Sequence, residues 1–200
     1  MKKFVLLITI LFVSVISTAC INNLAVQELN NKAKEYMANG EIEMAICRLR
    51  SSIDLDDSIF ETHYNLGVAL ISGKEYKEAQ KSLENAINLK PDFADAYYSL
   101  AMAFEYQADE IINGQRGDND DEKTAKAELT DEQNVQVVDL YNSAVDNYNK
   151  YISKAPESND KEKVAEQVEY LNKEINKYNS LRSTELSDVN VSNSNAGNDD

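Results

Sequence analysis

The chain has 200 residues, of which 35 are acidic and 20 basic, so that its formal net charge is −15. Nucleic-acid binding depends on neutralising phosphates with Lys and Arg, and this charge argues against DNA or RNA as a partner. With two cysteines and one histidine, the sequence has no Cys/His cluster for a metal site, and we expect neither a metal nor a cofactor.

The N-terminus has the layout of a secretory signal peptide, which we place at residues 1–19. Lys2 and Lys3 precede an apolar run, and three small residues follow that run at 17–19. The uncharged stretch of 16 residues is shorter than the about 20 that a helix needs to span a bilayer. A tilted membrane anchor remains an alternative.

The leader closes on Ser17-Thr18-Ala19-Cys20, which resembles the lipobox of bacterial lipoproteins. The resemblance implies a diacylglyceryl group on Cys20, cleavage just before it, and a short linker at 20–25. Ser17 departs from the family, where Leu is usual. Ile21 implies sorting to the outer membrane if the cell has two membranes. We therefore expect an exported protein, anchored by lipid at the outer membrane or cell surface and facing the periplasm or exterior. The alternative is ordinary cleavage with an unmodified cysteine.

Residues 60–93 contain Leu66, Gly67, Ala79, Ala86 and Pro91. With these residues the segment resembles a tetratricopeptide repeat, a helix–turn–helix unit of about 34 residues. Small residues at Gly67 and Ala79 let two helices approach closely, and Pro91 ends the second helix. The resemblance covers about residues 26–156 and implies an all-α, right-handed superhelix.

The same pattern recurs in phase along the chain, since Tyr36, Leu70 and Phe104 are each 34 residues apart. We divide the chain into a first repeat at 26–59, with helices at about 26–38 and 41–54 and a turn at Asn39-Gly40. The second repeat is 60–93, and the third is 94–156.

The third repeat is enlarged by an insertion near 113–136, because Pro156 lies 65 residues after Pro91. Its first helix is predicted to run on to Ile112. Its second helix is predicted at 131–154, after a capping box from Thr130 to Gln133, with a polar loop near 113–129. A capping helix at 158–181 completes a domain of 26–182. The polar tail at 183–200 has little to bury, and we expect it to be disordered.

The resemblance also implies a concave groove that is lined by the first helix of each repeat and binds a peptide or a partner's helix. Tyr64 and Tyr98 are equivalent positions, and tyrosine is enriched at binding hot spots. The alternative is that these tyrosines pack against the next repeat or the terminal helix. The Lys/Asn/Arg set that binds a terminal carboxylate in some family members is incomplete. The predicted groove residues are Asn30, Lys34, Met37, Glu61, Tyr64, Val68, Ile71, Asp95, Tyr98, Met102, Glu105 and Tyr106.

No catalytic motif is present, and we do not expect an enzyme. His63 and Cys47 are interpreted as structural residues within helices. The alternation of Asp118, Asp120 and Glu122 is similar to that of a calcium loop. However, Lys123 stands where such a loop needs Gly, and we interpret the segment as a solvated acidic loop.

These features favour a membrane-anchored adaptor of the bacterial cell envelope that binds a protein segment in its groove. One alternative is a structural subunit that self-associates through the long helices at 94–154 and 158–181. Another is a secreted, non-lipidated form of the adaptor.

Overall fold

The computed structural model describes residues 23–114 and 129–195, with side chains as far as Ser180. Cys20, the acidic positions Asp118, Asp120 and Glu122, and residues 196–200 lie outside the described residues. Within the described ranges the fold is all-α, as the sequence predicted, with seven helices and no strand. The helices are α1 (23–38), α2 (Ile42–Leu55), α3 (Phe60–Ser72), α4 (Tyr76–Leu89), α5 (Ala94–Gly114), α6 (Asp131–Lys154) and α7 (Lys161–Asn195).

The chain divides into two compact units, and the boundary lies between Asp92 and Phe93. In the first unit, α3 packs against both α2 and α4. Its core consists of apolar side chains that recur at three- and four-residue spacing, the arrangement that gives a helix one buried face. The completely buried members include Leu49, Leu70 and Leu83, one from each of α2, α3 and α4.

Gly67 lies at a close contact between α3 and α4. A Cβ atom built on Gly67 would collide with Cγ of Leu83 and would lie 2.8 Å from its Cδ2. Ala79 is completely buried in the same unit. The expectation that small residues at 67 and 79 permit close helix packing is confirmed at Gly67.

The second unit contains α5, α6 and α7, with α6 packed against both of the others. The backbone N–H of Gln133 donates to Oγ1 of Thr130 (3.2 Å), and the N–H of Thr130 donates to Oε1 of Gln133 (3.0 Å). This reciprocal pair satisfies donors that the first turn of a helix leaves open. It confirms the capping box, and α6 begins at Asp131 as predicted.

The last helix differs from its prediction. α7 begins at Lys161 and continues to Asn195, whereas the sequence favoured a helix at 158–181 and disorder from 183 onward. No Pro or Gly interrupts this stretch, so nothing in it forces the backbone out of the helix. Among the described residues, none of the helices is both long and apolar enough to cross a bilayer.

Candidate functional site

In the first unit, Asn30 belongs to a polar network between three helices. Its Nδ2 lies 2.9 Å from Oγ of Ser52 and 2.9 Å from Oγ1 of Thr62, and Nδ2 of Asn65 donates to its Oδ1 at 3.3 Å. Ser52 and Thr62 are completely buried, and buried hydroxyls need such partners. Asn30 therefore holds α1 against α2 and α3.

A cavity of about 390 Å³ lies beside this network, between α1 and the start of α3. Lys34 is exposed on its wall, and most of its other polar lining consists of amide side chains. Tyr64, Val68 and Ile71 are half-buried. They do not line this cavity, and neither does Met37, so the structure brings Asn30, Lys34 and Glu61 together without the other four predicted groove residues of this unit.

In the second unit, a cavity of about 320 Å³ lies between α5 and the beginning of α7. Tyr98, Met102, Glu105 and Tyr106 line it from α5, so that four of the five predicted groove residues of this unit meet at one place, and Asp95 lies outside the lining. Tyr148 of α6 also contributes. The remaining lining residues are Asp160, Lys163, Val164 and Gln167.

Tyr98 both packs and remains accessible. Its ring centroid lies 5.6 Å from that of Tyr148, at 62°, and 5.3 Å from that of Tyr151, at 56°. Tilted and edge-on contacts of this kind are favourable for aromatic pairs. Tyr98 nevertheless keeps 36% of its surface exposed, and Tyr106 keeps 37%. The two interpretations of Tyr98, groove contact and packing, therefore do not exclude each other.

Glu105 connects all three helices of the unit. The hydroxyl of Tyr148 donates to its Oε2 at 2.8 Å, and Nε2 of Gln167 donates to its Oε1 at 2.5 Å. Burial raises the pKa of Glu105, as does the nearby charge of Asp109, while the two hydrogen bonds oppose the rise. Burial likewise raises the pKa of Asp109, which accepts a 3.0 Å hydrogen bond from the Tyr141 hydroxyl.

Sequence reasoning missed the contributions of Tyr148 and Gln167. Tyr148 lies at helical spacing among the apolar residues of α6, and that spacing alone assigns its hydroxyl no partner, although a buried tyrosine hydroxyl usually finds one. Gln167 precedes Val168 in the apolar stripe of α7 and lies at the edge of that stripe. The sequence signal for Gln167 is its uncharged side chain, which stands among Glu and Lys residues. Neither signal identifies Glu105 as the shared acceptor.

The described residues offer no group of three or more His, Cys, Asp or Glu side chains that could hold a metal ion. His63 is 6% exposed, and its Nε2 lies 2.8 Å from the backbone oxygen of Asp57, which connects α3 to the preceding turn. Cys47 is a free, exposed thiol on α2.

Residues 67–107 match the family model of the TPR repeat, and no curated protein matches the chain. The second TPR domain of human RPAP3 in complex with the HSP70 peptide SGPTIEEVD is similar at TM-score 0.55 and 14% identity, covering 74% of this chain and 98% of that one. The complex of the TPR2B domain of yeast Sti1 with pHsp70 is similar at a TM-score of 0.53 and 18% identity, covering 77% of this chain and 98% of that one. The Sgt2 TPR domain from Aspergillus fumigatus is similar at a TM-score of 0.56 and 17% identity, covering 76% of this chain and 82% of that one. At these identities the likeness establishes a TPR-type helical fold, and the matching model is that of a repeat rather than a catalytic domain.

Proposed function

We propose that this chain is a protein-interaction adaptor that binds a segment of a partner protein at its repeat helices. The observation that carries the proposal is the cavity between α5 and α7, where Tyr98 and Tyr106 each keep more than a third of their surface exposed. Tyrosine presents a large, rigid contact area with a polar tip and is frequent among residues that dominate binding energy.

Structural relatives of the same fold support a peptide segment as the type of ligand. The similar domains of human RPAP3 and yeast Sti1 are described in complexes with HSP70-derived ligands. The partner of this chain would differ in chemistry, because the Lys/Asn/Arg set expected for a terminal carboxylate is incomplete here. Of that set only Asn30 and Lys34 are present, and Asn30 already holds three helices together.

We also propose that the adaptor is exported and works at the membrane of a bacterial envelope, held there by lipid on Cys20. The basic start, apolar run and small residues before Cys20 support this proposal. The net charge of −15 supports a covalent anchor over charge-based docking, since anionic lipid headgroups would repel the chain. The outer membrane or cell surface, facing the periplasm or exterior, is the proposed location.

The test is capture of partners from membrane extracts by the full chain and by Tyr98→Ala. We expect the substitution to weaken binding at least about tenfold, which corresponds to about 1.4 kcal/mol. Tyr170→Ala is the matched control, because Tyr170 is 51% exposed on α7 and does not line the cavity. Both variants should keep the helical circular dichroism of the wild type. Equal capture by the two variants would contradict the proposed binding site.

A further inference from the structure

The cavity between α5 and α7 combines aromatic rings with a carboxylate, and this combination selects a particular kind of side chain. We infer that the cavity receives an arginine or lysine side chain of the partner segment, with Glu105 as its counter-charge and Tyr98 and Tyr106 as its aromatic walls. The inference rests on the proposed function, because it names the chemistry of the segment that the adaptor binds.

Glu105 is the central group because, within 23–114 and 129–180, its hydrogen-bond partners are neutral donors. The Tyr148 hydroxyl and the Gln167 amide each donate to one of its oxygens. Among the described residues, no Lys or Arg lies within ion-pair distance of its carboxylate. Each carboxylate oxygen has a second lone pair, so both can still accept from a cation. A half-buried carboxylate without a counter-ion is costly, and a bound cation would remove that cost.

The aromatic walls suit the same ligand. Tyr98 and Tyr106 lie on α5 to either side of Met102, and Tyr148 contributes a third ring from α6. A guanidinium or ammonium group is attracted to the face of an aromatic ring. The planar guanidinium of arginine can also form paired hydrogen bonds with a carboxylate, which makes arginine the better of the two ligands.

The other charged residues at the cavity are compatible with a basic ligand. Asp160 and Lys163 are 3.5 Å apart, and their side chains are 61% and 80% exposed. A pair this exposed contributes little, and Lys163 can turn toward water. The cavity then presents two carboxylates, from Glu105 and Asp160. The net charge of −15 also attracts basic segments over longer distances.

Other occupants fit less well. An acidic side chain would bring a second negative charge close to Glu105, which is already half-buried. A purely apolar side chain could cover Met102 and Val164 but would remove water from Glu105 without supplying a counter-ion. A basic side chain is the ligand that can both contact the aromatic rings and neutralise the Glu105 carboxylate.

The experiment uses two small probes on the full chain in detergent micelles, with ¹³C-labelled tyrosine rings observed by NMR. Nα-acetyl-arginine methylamide should shift the Tyr98 and Tyr106 signals saturably in the millimolar range. Nα-acetyl-norleucine methylamide, which lacks the charge, should bind at least tenfold more weakly. Glu105→Gln should remove this preference for arginine. Glu110→Gln removes the same charge from an exposed position on the same helix and should retain it.

The comparison of the two probes on the wild type requires no variant. Equal shifts with both probes, or no shift with the arginine probe, would overturn the inference. The proposed function is tested separately by partner capture. If partner capture depends on Tyr98 but the probes show no arginine selectivity, the proposed function stands and only the inference of a basic ligand is overturned. If the probes show arginine selectivity but partner capture does not depend on Tyr98, the proposed binding site of the adaptor is contradicted.

Discussion

At the scale of single residues, Gly67 determines how closely α3 and α4 pack. Gly67→Ala would place a methyl group against Leu83, which is completely buried and would have to move. Overpacking of this kind costs about 1–3 kcal/mol. We expect a loss of that size in the free energy of unfolding, measured by urea denaturation.

Gly73 provides the matched control for this prediction. A Cβ on Gly73 would meet its nearest neighbours at 3.5 Å or more, which is ordinary van der Waals contact. Its φ of −81° is available to alanine. Gly73→Ala should therefore be nearly neutral. If the two substitutions cost the same, then the contact between Gly67 and Leu83 does not limit helix packing.

Gly40 and Lys74 form a natural pair, because they occupy equivalent turns 34 residues apart and both have positive φ. The angle is +79° at Gly40 and 61° at Lys74. Glycine adopts this conformation without strain, whereas a residue with a Cβ does so at a cost of about 1 kcal/mol or more.

We therefore expect Lys74→Gly to stabilise the protein and Gly40→Ala to destabilise it, each by about 1 kcal/mol. The midpoints of thermal unfolding of both variants would be compared with the wild type. Changes of the same sign in the two variants would show that the backbone angle does not determine stability at these turns.

At the scale of elements, α5 carries two half-buried carboxylates on one face, at Glu105 and Asp109. Each accepts a hydrogen bond from a tyrosine of α6, Tyr148 or Tyr141, and Glu105 accepts another from Gln167 of α7. Burial raises both carboxyl pKa values above their ordinary values. In the window between the ordinary and the raised pKa, the folded chain binds protons that the unfolded chain releases, so stability increases as the pH falls.

The resulting prediction is that the wild type gains stability as the pH falls from neutral toward the ordinary carboxyl pKa range and that Glu105→Gln/Asp109→Asn gains less. Loss of general charge repulsion on acidification contributes to both proteins, so the prediction concerns the difference between their slopes. The measurement is the free energy of unfolding at each pH. Glu110→Gln, on the exposed side of α5, should retain the wild-type slope. A double variant with the wild-type slope would contradict the prediction.

The helices of this chain are predictable where local signals determine them. The interval of 34 residues reveals the helix pairs, and the capping box at Thr130 gives the start of α6. The contacts of the second cavity are not local. Tyr148 lies 43 residues from Glu105 in the sequence, and Gln167 lies 62 residues from it. The residue pattern of either helix alone therefore cannot show that these side chains contact Glu105.

The end of α7 shows a second limit of the sequence. Composition predicted disorder from residue 183, whereas helical backbone continues to Asn195. Low hydrophobicity indicates that a segment buries little surface, but it does not supply a residue that ends a helix. The absence of Pro and Gly between 161 and 195 was the signal that favoured continuation.

At the scale of the whole molecule, the proposed membrane location depends on covalent lipid at Cys20. A chain with a net charge of −15 gains nothing from anionic lipid headgroups. Acyl chains contribute about 0.8 kcal/mol for each buried CH₂, and stable attachment needs more than one chain. A diacylglyceryl group would supply two chains, so that modification and membrane residence should appear or disappear together.

The prediction is tested by the intact mass of the N-terminal peptide from membrane-extracted protein, compared between wild type and Cys20→Ser. We expect a diacylglyceryl-modified cysteine at the new N-terminus of the wild type, and no lipid on the variant. An unmodified wild-type chain beginning near Cys20 would make the protein a free exported adaptor, and an uncleaved chain would make it signal-anchored. Both results would contradict the lipid anchor. The cavity between α5 and α7 and its preference for a basic ligand are tested by separate experiments.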